Sequence, residues 1–475
     1  MRIGKIMAVA MVAFCIVAGA STAMSFTDSE ERELSEKSDS LTQQYELYDM
    51  KKMYEEAADC LKKISDLYPD DTERLERYIG YCYDKGFGEL YYSACQKAEQ
   101  LEPYNYNAAE RVLTYMLDNE NKSIYKKLHA VMDRFSSDKY PTEHDNLTKL
   151  YNSIRGDFRQ PGSAYDTVSC WQNGYAVVST KDGWEVLDST GEQVAVSPLG
   201  RIYSYSPREK LIAVVHEGQL VYTNFSGARK RVPFDTENRI LENHKYLGSM
   251  SCGLATIEFQ NGSWGYLIFS GDSIVTYASG FEMTTNLSGN IGALKQNGKW
   301  AFFSFENGGV NMLTGYEYDD VYTDKQGCSV FDGAAFAKKA GSSMWSMLRF
   351  EKPDSKGKDS HYTAVTVSEN MYTEVTPFNG TAAVKTANGN WNIIDSSAAV
   401  LYTNSNNSIT FGESGCGLTA FKSGGKWGYV DTAGNMIIKP QFDEACGFNS
   451  SGAAFVKTEG VWSLIRLKEY IFMEE

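Results

Sequence analysis

Two hydrophobic rhythms divide this chain, and a third pattern precedes them. From Asp28 to residue 157, apolar positions recur every three to four residues. Ala57, Leu61 and Ile64 share one helical face, which stops near Tyr68-Pro69. Leu75, Ile79 and Cys82 lead a helix ending near Gly86-Phe87-Gly88; Tyr91, Cys95 and Ala98 lead its partner, which stops near Glu102-Pro103. A further unit fits Asn107 to Ser137, and Glu143 to Phe158 reads as a closing helix. From residue 164 onward the rhythm changes to short apolar runs punctuated by glycine, the pattern of strands and tight turns. Gly156 to Ser163, with Pro161 and Gly162, reads as the junction, and residues 158–163 as the linker proper.

The strand region is periodic. Seven of the eight tryptophans fall in one register: Trp184, Trp264, Trp300, Trp345, Trp391, Trp427 and Trp462. Leu220 fills an eighth copy, giving spacings of 36, 44, 36, 45, 46, 36 and 35 residues. Each unit opens with a strand such as GLTAFKS, makes a tight turn, and begins a second strand at the tryptophan. Asn261-Gly262, Asn297-Gly298 and Asn388-Gly389 suit two-residue hairpins, because both residue types tolerate positive φ. The residue after tryptophan is small at Gly265, Ala301, Ser346, Gly428 and Ser463, so another backbone or ring is expected against it. The next two positions are both apolar in Val186-Leu187, Phe302-Phe303, Ile393-Ile394 and Leu464-Ile465, so both faces of the sheet are expected to be covered. Asp188, Asp395 and Asp431 then precede turns that Gly191, Gly227, Gly271 and Gly434 close. The register tryptophans read as core; Trp171, off register, is a candidate surface residue.

Two resemblances follow from these residues. Pro69 and Pro103 lie 34 residues apart, and Gln96 to Pro103 resembles the end of a tetratricopeptide repeat; Ile79 departs from that family's usual small residue. About three such repeats are expected over residues 28–157. The family's concave side holds peptide, which makes Tyr78, Tyr81, Tyr83, Tyr91, Tyr92, Tyr104 and Tyr106 candidate groove residues, set against packing between helices. GGKWGYVDTAGNMIIKP, QNGSWGYLIF and QNGKWAFF resemble the WG-repeat family of bacterial β-repeat proteins. That resemblance implies an exported or cell-envelope protein and carries over no catalytic residue.

The ends of the array predict its closure. Complete units finish with a segment like Gln441 to Ala445, which the last unit lacks, while Ala164 to Val168 has the same pattern with no unit before it. Residues 164–172 are therefore expected to complete the last sheet and close a ring of about eight small blades. The expected fold class is α+β multidomain: a helical solenoid, then an all-β array forming a closed propeller, with an open β-solenoid as the alternative. Units of this length leave three-stranded blades open.

The first residues change the picture of where the chain works. Arg2 and Lys5 precede an uncharged run from Ile6 to Phe26, and Asp28, Glu30, Glu31 and Glu33 follow. Residues 1–26 thus read as a signal peptide or an N-terminal membrane anchor, and the rest as extracytoplasmic, either secreted or tethered. Of the nine cysteines, the eight after Cys15 form no C-x-x-C pair and read as buried free thiols; Cys82 and Cys95 are the pair to examine for a disulfide. The net charge of -15 argues against a nucleic-acid binder and against broad adhesion to anionic lipid.

No motif points to chemistry. P-loop, G-x-S-x-G, H-E-x-x-H and EF-hand patterns are absent, and the five histidines (129, 144, 216, 244 and 361) lack ligand spacing. Asp319, Asp320 and Asp324 could meet a calcium ion, but a solvated turn is the plainer reading. Arg229 to Arg231 and Lys352 to Lys358 read as solvated basic loops. No catalytic, cofactor or metal residue is expected. The expected function is a non-catalytic interaction scaffold whose helical repeats dock a protein and whose β array presents a surface to a ligand such as a cell-wall polymer. A glycan-active propeller enzyme with dispersed carboxylates and a structural spacer are the alternatives.

Overall fold

The structure is a computed structural model that describes residues 29–160, 162, 164–169, 171, 174–197, 199–224, 230–231, 233–234, 244–270, 273–352, 362–367 and 371–474. Residues 1–26, Cys170, Gly227, Arg229, Gly271 and residues 353–361, His361 among them, lie outside the described residues. The chain divides into two compact units between Tyr151 and Asn152.

The first unit is helical: α1 (29–50), α2 (Tyr54–Leu67), α3 (Thr72–Asp84), α4 (Gly88–Leu101), α5 (Tyr106–Asp118), α6 (Ile124–Arg134) and α7 (Pro141–Ile154). The 34-residue period is written into its turns. Lys52, Gly86 and Glu120 all have positive φ and join α1 to α2, α3 to α4 and α5 to α6. After each, the same capping bond recurs: Met53 N to Tyr48 O at 2.8 Å, Phe87 N to Cys82 O at 2.9 Å, and Asn121 N to Met116 O at 2.8 Å. The first helices of the second and third pairs are N-capped 34 positions apart, Asp71 accepting from Arg74 N and Asn105 from Ala108 N. Three helical hairpins therefore stack, and the first is complete: α1 precedes the helix that carries Ala57, Leu61 and Ile64. Leu61, Leu75, Cys82, Cys95, Val112, Leu113 and Leu128 are buried between them.

The described strands of the second unit form seven sheets that make eight blades in chain order, antiparallel except where Pro233–Phe234 runs parallel to Ser273–Phe281. Their tryptophan-register strands are Gly183–Leu187, Gln219–Thr223, Trp264–Ser270, Lys299–Glu306, Ser346–Glu351, Trp391–Ile394, Lys426–Asp431 and Val461–Leu467. Each is the third of four strands, so the blades are four-stranded rather than three-stranded. Blades four and five merge into one eight-stranded sheet where Trp300 faces Tyr318.

Closure comes from the N-terminal side. Ala164–Tyr165 pairs with Ser463 and Trp462, and Phe158–Arg159 extends the same strand from Leu467 and Arg466. Thr167–Val168 instead pairs with Ser179 and Val178 as the first strand of blade one. So only part of residues 164–172 completes the last sheet, and Phe158–Arg159, assigned to a linker from sequence, is a strand. The segment Gln441 to Ala445 shows why: Phe442 faces Trp427 in blade seven, while Glu444 faces Lys457 in blade eight. Ala164 to Val168 repeats that step, with Tyr165 facing Trp462.

Eight apolar clusters fill the interfaces between successive blades. The last joins Ala453, Phe455 and Leu464 of blade eight to Ala176, Val178 and Leu187 of blade one, so the ring is closed. Asn449 Nδ2 donates to Ser189 O across the same seam at 2.8 Å. An open solenoid would leave the two end faces bare to water. No described tryptophan is fully exposed: Trp300 and Trp391 are buried, and Trp171 is half-buried, stacked on Phe455 with centroids 4.9 Å apart, which corrects its surface assignment.

The W-G-Y signature has a local cause. A Cβ on Gly265 would sit 2.9 Å from Phe259 Cε2, and one on Gly428 would sit 2.7 Å from Pro440 N. In both blades the fourth strand bulges against that glycine. The tyrosine one place later reaches into the next blade: Tyr429 OH donates to Cys446 O at 2.8 Å, and Tyr266 OH to Thr285 O and Ala293 O at 3.1 Å each. Asp188, Asp395 and Asp431 cap their turns as expected, accepting from Thr190, Ser397 and Ala433 N–H at 2.9, 2.8 and 2.9 Å. The Asn-Gly turns split. Asn297-Gly298 has positive φ at both residues, whereas at Asn261 and Asn388 only the glycine does. There the asparagine side chain instead accepts from Ser263 N and Asn390 N.

Candidate ligand cavities at the centre of the ring

First strands of different blades line shared cavities, so the first-strand edge of each sheet faces the middle of the ring. The segment joining the first two strands of blade five, Asp324 to Cys328, lies in that middle. Asp324 shapes it by accepting from Gln326 N at 2.9 Å and Cys328 N at 2.8 Å. Asn286 holds it from blade four: its Nδ2 donates to Gln326 O at 2.6 Å, and its backbone N to Gly327 O at 2.8 Å. Tyr246 OH, from blade three, donates to Gln326 O at 3.3 Å. Burial pushes the Tyr246 hydroxyl up to about 12, so it stays a donor.

Lys325 and Gln326 border two cavities of opposite character. The first, about 240 Å³, is reached by Asp324, Asp332 and Glu413, with Asn379 and Asn449 among its amides. Its carboxylates are tied to backbone: Glu413 accepts from Gly447 N at 3.1 Å and Asp332 from Gly380 N at 3.4 Å. Asp324 titrates high, at about 6, because burial opposes its charge more than its N–H donors favour it, and Glu413 adds repulsion. The second cavity, about 460 Å³, has only cations among its charged lining residues, Arg201 and Lys325. Its walls are aromatic: Tyr175, Trp184, Tyr203, Tyr205, Tyr246 and Trp462. Tyr175 and Tyr205 meet edge to face at 5.0 Å, and burial takes the Tyr205 hydroxyl up to about 12.

The candidates read from sequence lie elsewhere or serve the fold. Asp319 pairs with Lys299 and accepts from Gly341 N at 2.7 Å, and Asp320 pairs with Lys338 at 3.2 Å, so neither joins Asp324. His144 bonds Phe135 O at 2.9 Å, His129 packs on Tyr151, and His216 meets Glu217 at 3.2 Å. Among the described residues no group of three or more His, Cys, Asp or Glu side chains gathers as metal ligands. The described cysteines are free, Cys82 and Cys95 included. Burial raises the Cys95 thiol to about 11, whereas Cys252 is exposed at a positive-φ turn instead of buried.

Of the seven groove tyrosines, Tyr78 and Tyr81 are buried, Tyr91, Tyr92 and Tyr106 are half-buried, and Tyr83 and Tyr104 are exposed. Tyr92 stacks on Tyr115 at 4.6 Å, Tyr83 packs against Tyr91 at 5.5 Å, and Tyr104 stacks on Tyr140 at 6.1 Å. Sequence reasoning missed the central residues Arg201, Ser204, Asn286, Lys325 and Glu413. One signal was present: the IYSYS strand alternates buried and open positions, marking a sheet edge with one wet side.

These features define a class, a helical-repeat stack followed by a closed eight-bladed propeller. Residues 427–462 match the family model described as WG containing repeat. That match runs from one register tryptophan to the next, so the sequence repeat straddles blades seven and eight. No curated protein matches the chain. Among solved structures, BamB from Moraxella catarrhalis aligns over 66% of this chain and 100% of its own, at 11% identity and a TM-score of 0.38. The propeller of Dos1 aligns over 67% of this chain and 97% of its own, at 10% identity and 0.34. The TPR2B domain of yeast Sti1, solved as a complex with pHsp70, aligns over 24% and 93%, at 16% identity and 0.18. Blade number and closure rest on this chain's own strand pairing and interface clusters. Among the described residues no helix is long and apolar enough to cross a membrane.

Proposed function

We propose that this protein is a non-catalytic interaction scaffold of the cell envelope. Residues 1–26 direct it outward and either leave it or tether it there. The helical repeats dock a protein partner, and the ring presents a ligand cavity. One observation carries the reading: the three carboxylates of the first cavity are held by backbone N–H groups, as turn and loop fasteners are, rather than poised against a nucleophile or a histidine. Open aromatic surface at Tyr83 and Tyr104 supports docking on the helical unit. The test is capture from an envelope extract by the full mature chain, compared with a Tyr83→Ala/Tyr104→Ala variant. A partner retained by the parent and lost by the variant supports docking; no retained protein counts against it.

A second reading, a glycan-active enzyme, is favoured by Asp324, a carboxyl titrating at about 6 in a cavity it shares with Glu413. Its test is release of reducing ends from cell-wall glycan. Release by the parent and not by Asp324→Asn would establish it, and no release by either removes it.

A further inference from the structure

The second cavity carries more than a general claim of ligand binding. Ser204 lines this cavity, and its Oγ, shut away from solvent, has no hydrogen-bond partner. Two residues along the same strand and on the same face, Ser206 Oγ accepts from Met250 N at 2.7 Å. A buried hydroxyl left unpaired costs free energy and marks a place where something polar is missing. Arg201 leans over Trp184 and Tyr203, its guanidinium 5.6 and 4.9 Å from their ring centroids, and has no carboxylate partner among the described residues. Lys325 likewise has none. Two unneutralised cations share a cavity with no acidic lining residue, on a chain of net charge -15. Six aromatic rings and the polar groups of Thr167, Ser169 and Gln326 complete the wall, and Asn286 backs it with its amide already committed to Gln326 O and Tyr246 Oη.

We propose that this cavity binds an anionic saccharide, a sugar ring carrying a carboxylate or phosphate group. The proposal rests on the reading of the ring as a ligand-presenting module and names the ligand class. Flat aromatic faces take the C–H face of a pyranose, and hydroxyl and amide side chains take its hydroxyl groups. Arg201 and Lys325 meet the anionic substituent through charge-assisted hydrogen bonds, the stronger kind. The volume lies within the roughly 300–1,000 Å³ of small-ligand pockets, enough for a terminal unit but not for a long chain segment. An acidic peptide would satisfy the cations but not the several stacking faces together with the hydroxyl-matched wall.

The test is calorimetric titration of the full mature chain with four probes: a galacturonate trimer, glucose 6-phosphate, uncharged maltotriose and hexaglutamate. The expected result is that one or both anionic sugars bind at least about tenfold more tightly than maltotriose and hexaglutamate. Arg201→Ala/Lys325→Ala should weaken that binding by about tenfold or more, the scale of one lost charge-assisted bond. Ser204→Ala should weaken it less, with circular dichroism unchanged. Absence of binding to either anionic sugar, equal binding by the double variant, or preference for hexaglutamate overturns the proposal. Partner capture through the helical unit is read separately, so a failed titration beside intact capture rejects the sugar site and leaves the docking role standing.

Discussion

The helical stack and the β ring are both built from repeats of about the same length, yet they solve opposite problems. Each helical hairpin needs only its neighbours, and the stack can end in a closing helix such as α7. A blade needs a neighbour on each side, so the ring must find its own end. Tyr165 facing Trp462 and the cluster around Phe455 meet that need. The helical unit therefore stores its stability locally, while the ring stores part of it in one contact between distant stretches of sequence.

Core truncation breaks this comparison most directly. Phe455→Ala empties a fully buried position at the closing interface and should cost about 3–5 kcal/mol. Hydrogen exchange should then quicken in all eight blades, whereas Leu128→Ala, costing about 2–5 kcal/mol, should loosen only α5 to α7. Exchange confined to blades one and eight would show that the ring does not unfold as a unit. Glu99 is the next largest case. Burial opposes its charge, but Lys127 at 2.6 Å and Arg134 outweigh that, and its carboxyl sits below the ordinary range. Glu99→Ala strands two half-exposed cations and should cost about 1–3 kcal/mol by urea unfolding, visible in the helical transition alone.

Gly428→Ala sharpens the contrast at the bulge. Its Cβ has no room beside Pro440, so a loss of about 1–3 kcal/mol is expected in thermal melts, whereas Gly80→Ala, with open space around it, should be neutral or stabilising. Asp71→Ala removes the cap of α3 and should cost about 1 kcal/mol in the helical unit.

The smallest effect depends on pH. The Asp324 carboxyl, raised by burial to about 6, binds its proton more tightly when folded than when unfolded. Its contribution is whole below the unfolded value of about 3.9 and is lost as pH rises through the folded one. Asp324→Asn keeps the acceptor oxygen and cannot ionise. Its Tm relative to the parent should climb between pH 4 and 6 and level off above; a flat difference would refute the shift.

Much of the ring was legible because its repeat is carried by residues under local constraint. The tryptophan register, the paired apolar positions and the Asp turns each answer to a neighbour within the same or the next blade. The left-handed turns of the helical unit were legible only at Gly86. Lys52 and Glu120 occupy the same conformation without a glycine to announce it. The central cavities were illegible. Arg201 and Ser204 come from blade two, Asn286 from blade four and Lys325 from blade five, and nothing in the sequence ties the three blades' residues together.

By itself the sequence determined the period, the strand and helix alternation, and the need for an edge at Ala164 to Val168 to find a partner, because these follow from short-range backbone and burial rules. Tertiary structure alone decided where that edge pairs, that each blade has four strands, and that one cavity has only Arg201 and Lys325 among its charged residues while Lys325 meets three carboxylates around the other. Those outcomes depend on closing the ring, which brings positions hundreds of residues apart within contact and gives chemistry to side chains that look unremarked in the chain.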